Sequence, residues 1–191
     1  MSVTETLPLF PLHAVLLPGA ALQLRVFERR YLDLVRDCGR NGSTFGVCLI
    51  LEGGEVDAPA TPATFGTEAV IEDFDIGEDG LLSLRLRGRR RFRVLRTRVR
   101  DNGLVVGEVE WRDADADDEL RPEHGLLATV LEKLFEQIDQ QAPGLSPAQL
   151  DNAAWVGWRL AELLPISAAQ RLSLLQQDDP HARLDRLLAL M

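Results

Sequence analysis

The chain opens with apolar residues that are interrupted by prolines at three positions. Pro8, Pro11 and Pro18 punctuate a stretch that is otherwise rich in leucine. Because each proline fixes φ and lacks a backbone donor, the stretch predicts short extended pieces at sheet edges or bends rather than one long strand. The leucines around the first two prolines are predicted to be core residues: Leu7, Leu9 and Leu12.

The pattern then changes to strict alternation and, further on, to helical spacing. Apolar and polar residues alternate over residues 22–26, which predicts a half-buried strand. Apolar residues recur at i, i+3, i+4 and i+7 over residues 31–38, which predicts an amphipathic helix of about three turns that stops at Gly39. We therefore expect a strand that leads directly into a helix.

Short apolar segments separated by turn residues continue as far as residue 111. Gly80 and the pair Asn102 and Gly103 mark hairpin turns, and residues 52–62 are predicted to be a loop. Six or seven short strands around one helix predict an α+β fold that begins with a closed or half-closed antiparallel β-barrel or sheet. The strands predicted in this region are 44–51, 65–74, 81–87, 92–99 and 104–111.

A change of composition divides the chain after this region. Residues 113–119 are crowded with Asp and Glu, whose charges repel each other, so we expect an exposed linker here. Helical patterns follow, and the capping boxes that begin at Ser146 and Ser167 mark two helix starts. The sequence therefore predicts two domains, residues 1–118 with the β-barrel and residues 119–191 with a bundle of four helices.

Composition and charge describe an acidic protein of ordinary hydrophobicity. The chain has 191 residues, a net charge of −9 and 46% hydrophobic residues. No apolar run approaches the roughly 18 residues of a membrane span, and the start lacks the pattern of a signal peptide, so the cytoplasm is the expected compartment. Cys38 and Cys48 lie in a predicted helix and a predicted apolar strand, which predicts buried thiols rather than a disulfide.

Several short motifs together resemble one known family. The opening residues 6–31 are the most distinctive piece, and others lie along nearly the whole chain. Together they resemble the Lon N-terminal, substrate-binding domain. The resemblance implies a PUA-like β-barrel followed by helices. It also implies capture of exposed apolar segments in unfolded or partly folded polypeptides, as an adaptor for a separate protease or chaperone. The further motifs are Phe45-Gly46, residues 66–69, Gly80-Leu81-Leu82, residues 88–92 and residues 158–165.

The resemblance directs attention to residues near the proline-rich opening and the strand-to-helix junction. Polypeptide capture needs a shallow apolar groove or an open sheet edge with charged rims. The more ordinary alternative is that the aromatic candidates Phe10, Phe27 and Tyr31 are core residues and that the charges are solvated. The peptide-binding candidates are Leu9, Phe10, Pro11, Leu12, Phe27, Glu28, Arg29, Arg30 and Tyr31.

Catalytic chemistry is not predicted for this chain. The sequence lacks the Gly-x-x-x-x-Gly-Lys-Ser/Thr loop of an ATPase. Lys133 is the only lysine and lies on the polar side of a predicted helix, so the Ser-Lys dyad of Lon proteases has no counterpart here. His13, His124 and His181 are scattered, and we expect each in a surface or capping role. We therefore expect a non-enzymatic protein without a metal or a cofactor.

Arginines are concentrated in one part of the chain. Nine lie between residues 85 and 100 with no acid among them, and the net charge of −9 becomes −18 when they are set aside. This asymmetry raises the alternative of a PUA-like RNA-binding protein. We favour a solvated strand face with internal ion pairs, since an acidic protein is poorly steered to a polyanion. The nucleic-acid-binding candidates are Arg85, Arg87, Arg89, Arg90, Arg91 and Arg93.

Overall fold

A computed structural model describes residues 3–140 and 144–191 of the chain. The chain forms two compact units, Met1–Asp113 and Ala114–Met191. The first unit contains a six-stranded sheet with one helix, and the second is helical, which confirms the predicted α+β class. Within the described residues, no helix is long and apolar enough to cross a membrane.

From residue 3 onward, the first unit forms six strands and one helix: β1 (Thr4–Leu12), β2 (Ala21–Val26), α1 (Arg29–Asn41), β3 (Phe45–Glu52), β4 (Thr61–Ile76), β5 (Leu82–Val99) and β6 (Val105–Trp111). The strand order is β2-β5-β4-β3-β1-β6. An additional pairing joins β6 to β5, so that five strands form a ring of pairings and β2 is attached to β5 outside that ring.

One strand pair is parallel, which corrects the prediction of an antiparallel barrel or sheet. Residues 9–12 of β1 pair in parallel with residues 46–49 of β3, whereas the other named pairs are antiparallel. Parallel neighbours need a long crossover connection. The segment that contains β2 and α1 supplies it, and apolar periodicity carries no information about this direction.

The proline-rich opening forms one continuous strand, so the prediction of short separate pieces is wrong. Residues 4–8 of β1 pair with β6, and residues 9–12 pair with β3. Each half of β1 is therefore paired on one side only. Because proline lacks a backbone N–H, Pro8 and Pro11 fit where the position of that N–H faces the unpaired side. Leu7, Leu9 and Leu12 are core residues as predicted, with exposures of 5% or less.

A single long strand, β5, replaces two predicted ones. Gly88 lies in the predicted gap and pairs with Ala69 of β4. A Cβ atom on Gly88 would lie 2.2 Å from the Leu17 carbonyl oxygen. The Gly88 N–H also donates to the Ala20 oxygen at 2.9 Å. The glycine therefore permits a close approach of two backbones and does not break the strand.

Helix α1 ends one turn later than its pattern predicted. Gly39 lies inside the helix, and Gly42 is the C-cap with φ of 63° and ψ of 24°. A left-handed residue at this position costs least when it is glycine. Both glycines are compatible with a stop in the sequence, and Gly42 is the one that adopts the left-handed backbone conformation of the C-cap.

The described residues of the second unit form five α-helices rather than the four predicted: α2 (Gly125–Ile138), α3 (Pro147–Leu150), α4 (Ala153–Leu163), α5 (Ala168–Leu175) and α6 (Pro180–Leu190). Both predicted capping boxes are present, at Ser146 and Ser167. The helix that begins after Ser146 ends at Leu150, because Asn152 starts a new one by accepting a hydrogen bond from the Trp155 N–H at 2.8 Å.

The acidic segment after the sheet unit is bound to these helices rather than being only an exposed linker. The Ala153 N–H donates to the Asp118 carbonyl oxygen at 2.9 Å, and Asn152 Nδ2 donates to Asp117 Oδ1 at 2.5 Å. Glu119 forms an isolated β-bridge with Asn152. Backbone pairing and hydrogen bonds to these acidic residues thus hold the segment in place, although its composition alone indicated repulsion between its charges.

Candidate functional site

A groove of about 410 Å³ lies beside the outer edge of β2 in the sheet unit. We call it the β2 groove. One side is β2 itself, and the others are the end of β1, the start of α1 and a loop that follows β3. The residues that line it are Phe10, Leu12, Ala14, Leu22, Gln23, Leu24, Arg25, Val26, Phe27, Glu28, Tyr31, Glu55 and Val56.

The floor of the β2 groove is aromatic and buried. The rings of Phe10 and Tyr31 are stacked, with centroids 3.8 Å apart and an interplanar angle of 10°. The Arg30 guanidinium lies over the Tyr31 ring, with Cζ 4.7 Å from the centroid. Burial raises the pKa of the Tyr31 hydroxyl above its ordinary value. The Tyr31 ring is thus held between the Phe10 ring and the Arg30 guanidinium.

The rim of the groove is exposed and carries charge. Phe27 is 56% exposed, and Val56 is 45% exposed. Glu28 accepts a hydrogen bond from Arg30 Nε at 2.6 Å and another from the Asp57 backbone N–H at 3.1 Å. Glu55 accepts a hydrogen bond of 2.8 Å from the backbone N–H of His13, which follows β1. These bonds tie the loop after β3 to the end of β1 and to the start of α1.

Five of the nine peptide-binding candidates line this groove, and the other four do not. Leu9 and Pro11 are buried in β1. Arg29 is exposed at the start of α1, and the 6% exposed Arg30 donates to the Gly103 carbonyl oxygen at 3.0 Å. The candidates that line the groove are Phe10, Leu12, Phe27, Glu28 and Tyr31.

Sequence reasoning missed the part of the groove that β2 supplies. The alternation over residues 22–26 correctly predicted a half-buried strand, but it did not indicate that this strand lies at an edge. Its neighbours in the sheet are set by residues far away in the chain. Glu55 and Val56 belong to a loop whose composition contains no signal for a binding role.

A second, larger groove of about 750 Å³ lies on the same unit between α1 and β4. Apolar side chains of both elements line it, among them Leu32 and Val35 of α1 and Phe74 of β4. Cys38 also reaches it, and burial raises the pKa of that thiol. None of the peptide-binding candidates lines this groove, but Arg89 of the nucleic-acid-binding candidates does.

Five arginines of the arginine-rich strand pair with glutamates of its neighbours in the sheet. Arg85 and Arg87 both contact Glu72 of β4. Arg90 forms a bidentate pair with Glu68, with Nε to Oε2 at 2.9 Å and Nη2 to Oε1 at 3.1 Å. Further along, β6 supplies the partners: Glu110 for Arg93 and Glu108 for Arg96.

Not every arginine of the run is available at the surface. Arg91 is only 5% exposed, whereas Arg89 is exposed. Arg90 also covers the Trp111 ring, with Cζ 3.8 Å from the centroid. The internal ion pairs expected from the alternating pattern are therefore present, with glutamates of β4 and β6 as partners.

Two histidines of the helical unit are buried, which corrects the expected surface or capping roles. His124 is fully buried, and its Nε2 lies 2.7 Å from Asp185 Oδ1. His181 is 7% exposed, and its Nε2 lies 3.4 Å from Asp118 Oδ2. The two rings are stacked 6.1 Å apart. Over the described ranges, no three His, Cys, Asp or Glu side chains are grouped as a metal site would require.

Comparison with known proteins gives consistent matches over almost the full chain. The family model of the ATP-dependent protease La (Lon) substrate-binding domain matches residues 6–191. A crystal structure of a Lon N-terminal domain protein from Xanthomonas campestris is similar, with 68% identity and a TM-score of 0.85 over 98% of this chain and 99% of that chain. The N-terminal domain of the Mycobacterium avium complex Lon protease, at 17% identity, has the same fold with a TM-score of 0.67 over 97% of each chain. The resemblance inferred from the sequence motifs is confirmed.

Proposed function

Because this chain belongs to the family of Lon substrate-binding domains, we propose that it is a polypeptide-binding protein that captures exposed apolar segments in the β2 groove. The observation that carries this proposal is the exposed Phe27 at the mouth of a groove with an aromatic floor. A large apolar side chain that is more than half exposed gains little from folding, and it gains apolar contact when a partner covers it.

The shape and chemistry of the groove support this kind of ligand. Its volume of about 410 Å³ accommodates a few side chains rather than a folded surface. The half-buried Leu22 and Leu24 continue the apolar surface away from Phe27 along β2. A shallow apolar surface with charged residues at its rim accepts many sequences, as a protein that recognises unfolded chains requires.

Titration of a labelled, permanently unfolded polypeptide tests the proposal. Fluorescence anisotropy at low and at moderate salt should give micromolar binding that survives added salt, because apolar contact is little screened. Absence of binding at both salt concentrations would remove the proposal.

Two matched variants test the location of the site. Phe27→Ser removes an apolar side chain that is 56% exposed from the β2 groove. Leu126→Ser removes one that is 62% exposed from α2 in the other unit. We expect Phe27→Ser to weaken binding of the unfolded polypeptide about tenfold, the scale of one well-covered aromatic contact. Leu126→Ser should bind as the wild type does. Equal effects of the two substitutions would place the site elsewhere.

We also propose that the protein acts without catalysis, as an adaptor that delivers the captured polypeptide to a separate protease or chaperone. Binding in a shallow groove needs no nucleophile and no bound nucleotide. An unfolded polypeptide incubated with the protein, with and without ATP, should stay intact on a denaturing gel. Cleavage that persists after repurification would contradict the non-catalytic role.

RNA binding through the arginine-rich strand remains the alternative prediction, and we do not favour it. The pairs of Arg87 with Glu72 and of Arg90 with Glu68 occupy charges that phosphate groups would need. Phosphate binding weakens steeply as ionic strength rises. Salt-sensitive RNA binding that is lost in an Arg89→Ser variant would revive this alternative, because Arg89 is exposed.

A further inference from the structure

The outer edge of β2 presents unpaired backbone groups to the β2 groove. Among the described residues, β2 pairs only with β5. The Gly88 N–H donates to the Ala20 oxygen at 2.9 Å, and the antiparallel register continues without a shift from Ala21↔Arg87 to Val26↔Leu82. In an antiparallel pair, hydrogen-bonded and non-hydrogen-bonded residues alternate.

This register decides which residues of β2 face outward. The backbone groups of Leu22, Leu24 and Val26 face β5, and those of Ala21, Gln23 and Arg25 face the open edge. Residues 22–26 also line the groove. The groove therefore offers backbone donors and acceptors beside the apolar side chains.

The usual protections of a sheet edge are weak here. Proteins block open edges with prolines, bulges or inward-pointing charges. β2 contains no proline, and its pairing with β5 has no register shift. Its one charged side chain, Arg25, is paired with Asp79 at 3.2 Å on a neighbouring turn. An extended segment in the groove thus meets a straight, unpaired strand.

We propose that the captured polypeptide binds as an additional strand on β2, through the backbone N–H and C=O groups of Gln23 and Arg25. This inference rests on the proposed function and adds the conformation of the ligand. The ligands are then extended segments with free backbone amides and apolar residues at alternate positions, and proline within the segment excludes binding. Backbone recognition explains how one site accepts many sequences.

Backbone methylation of a peptide tests this mode directly. The probe is a labelled eight-residue peptide in which leucine and threonine alternate, flanked by lysines for solubility. In one derivative, N-methyl groups are placed at the leucines, and in the other at the threonines. In an added strand, the amides of only one of these sets face β2, because N–H directions alternate along a strand.

We expect one derivative to lose affinity by about tenfold per methyl group, because each methyl removes a donor and leaves an acceptor unpaired. The other derivative should bind within about threefold of the unmodified peptide, a difference of less than 1 kcal/mol. The sensitive derivative also reports the direction of the bound peptide, because the peptide leucines lie on the apolar face of β2. Loss of affinity on methylation of the threonines indicates an antiparallel added strand. Loss of affinity on methylation of the leucines indicates a parallel one.

The remaining outcomes separate this inference from the proposed function. Equal responses of the two derivatives, with normal binding of the unmodified peptide, would overturn strand addition and leave apolar capture in place. If neither the unmodified peptide nor the unfolded polypeptide binds, the proposed function itself fails.

A substitution in the protein provides a second measurement. Gln23→Pro removes one outward-facing donor, and since the N–H of Gln23 does not face β5, the β2–β5 pairing stays possible. We expect this variant to keep the wild-type circular dichroism spectrum and to bind the unmodified peptide about tenfold more weakly. Unchanged affinity in a folded variant would contradict recognition at this edge.

Discussion

Asp115 accepts two hydrogen bonds from the guanidinium group of Arg183, each 3.1 Å long. Arg183 is fully buried, its Cζ lies 3.6 Å from the centroid of the Trp158 ring, and Trp158 Nε1 donates to Asp115 at 2.7 Å. One carboxylate from the acidic segment thus neutralises a buried cation in α6 and fixes a tryptophan of α4. The segment is a structural part of the helical unit.

Removal of that carboxylate should destabilise the protein. Asp115→Ala leaves the charge of Arg183 buried without its acid, which typically costs about 3 kcal/mol or more. Asp113→Ala, an exposed change in the same acidic segment, is the control and should cost less than about 0.5 kcal/mol. Urea unfolding followed by tryptophan fluorescence measures both. Equal midpoints for the two variants would contradict a structural role of the pair.

Glu68 should make the protein less stable in acid. Burial raises the pKa of this carboxyl, but hydrogen bonds from Arg90 and Thr44 outweigh burial and hold the pKa below its usual range. A carboxyl with a depressed pKa in the folded state contributes stability above its unfolded pKa, and loses that contribution as pH falls through the folded value. The loss begins below the ordinary glutamate pKa of about 4.3.

The Glu68→Gln variant should therefore show a shallower decline of unfolding free energy between roughly pH 5 and pH 3 than the wild type. Arg90→Gln removes the principal donor and should change the slope in the same direction. Urea titrations at a series of pH values measure both slopes. A Glu68→Gln variant as acid-sensitive as the wild type would assign the decline to other carboxylates.

The contact between Gly88 and the turn before β2 should be intolerant of a side chain. A Cβ at residue 88 would lie 2.2 Å from the backbone oxygen of Leu17, so Gly88→Ala forces a backbone shift. We expect a loss of about 1–3 kcal/mol of unfolding free energy. Gly39→Ala is the matched control, because no atom lies within 4 Å of its new Cβ, and it should stabilise α1 by up to about 1 kcal/mol. Thermal unfolding measures both variants: the midpoint should fall for Gly88→Ala and rise for Gly39→Ala.

The two cysteines should be slow to react in the folded protein. Cys48 is fully buried, and burial raises the pKa of its thiol to about 12, while burial also raises the pKa of the Cys38 thiol. The thiolate is the reactive form. At pH 8 we expect little reaction with a disulfide reagent before unfolding and rapid reaction of both thiols in denaturant. Immediate labelling of Cys48 in the native protein would show that its site opens readily.

Much of the local structure could be predicted from the sequence. The alternation over residues 22–26, the helical spacing over residues 31–38 and the capping boxes at Ser146 and Ser167 each correspond to an observed element. The motif combination also identified the family. These signals succeed because side-chain periodicity and helix capping depend on residues close together in the chain.

Other features depend on residues that are distant in sequence. The long strand β5 and the continuous β1 contain glycine or proline that local rules treat as breaks, and only their partners in the sheet make those residues acceptable. The partners of the arginines likewise come from β4 and β6. No local pattern specifies which strand lies beside which.

The sequence by itself determined the class of the fold, most of its elements and the family. The tertiary structure alone decided that β2 has an open edge, that the groove at this edge contains Phe27, and that Asp115 meets Arg183. Periodicity assigns a face to a residue, but strand order and register assign its neighbour. Those come from the free energy of the whole packed chain, because many distant contacts must be satisfied together.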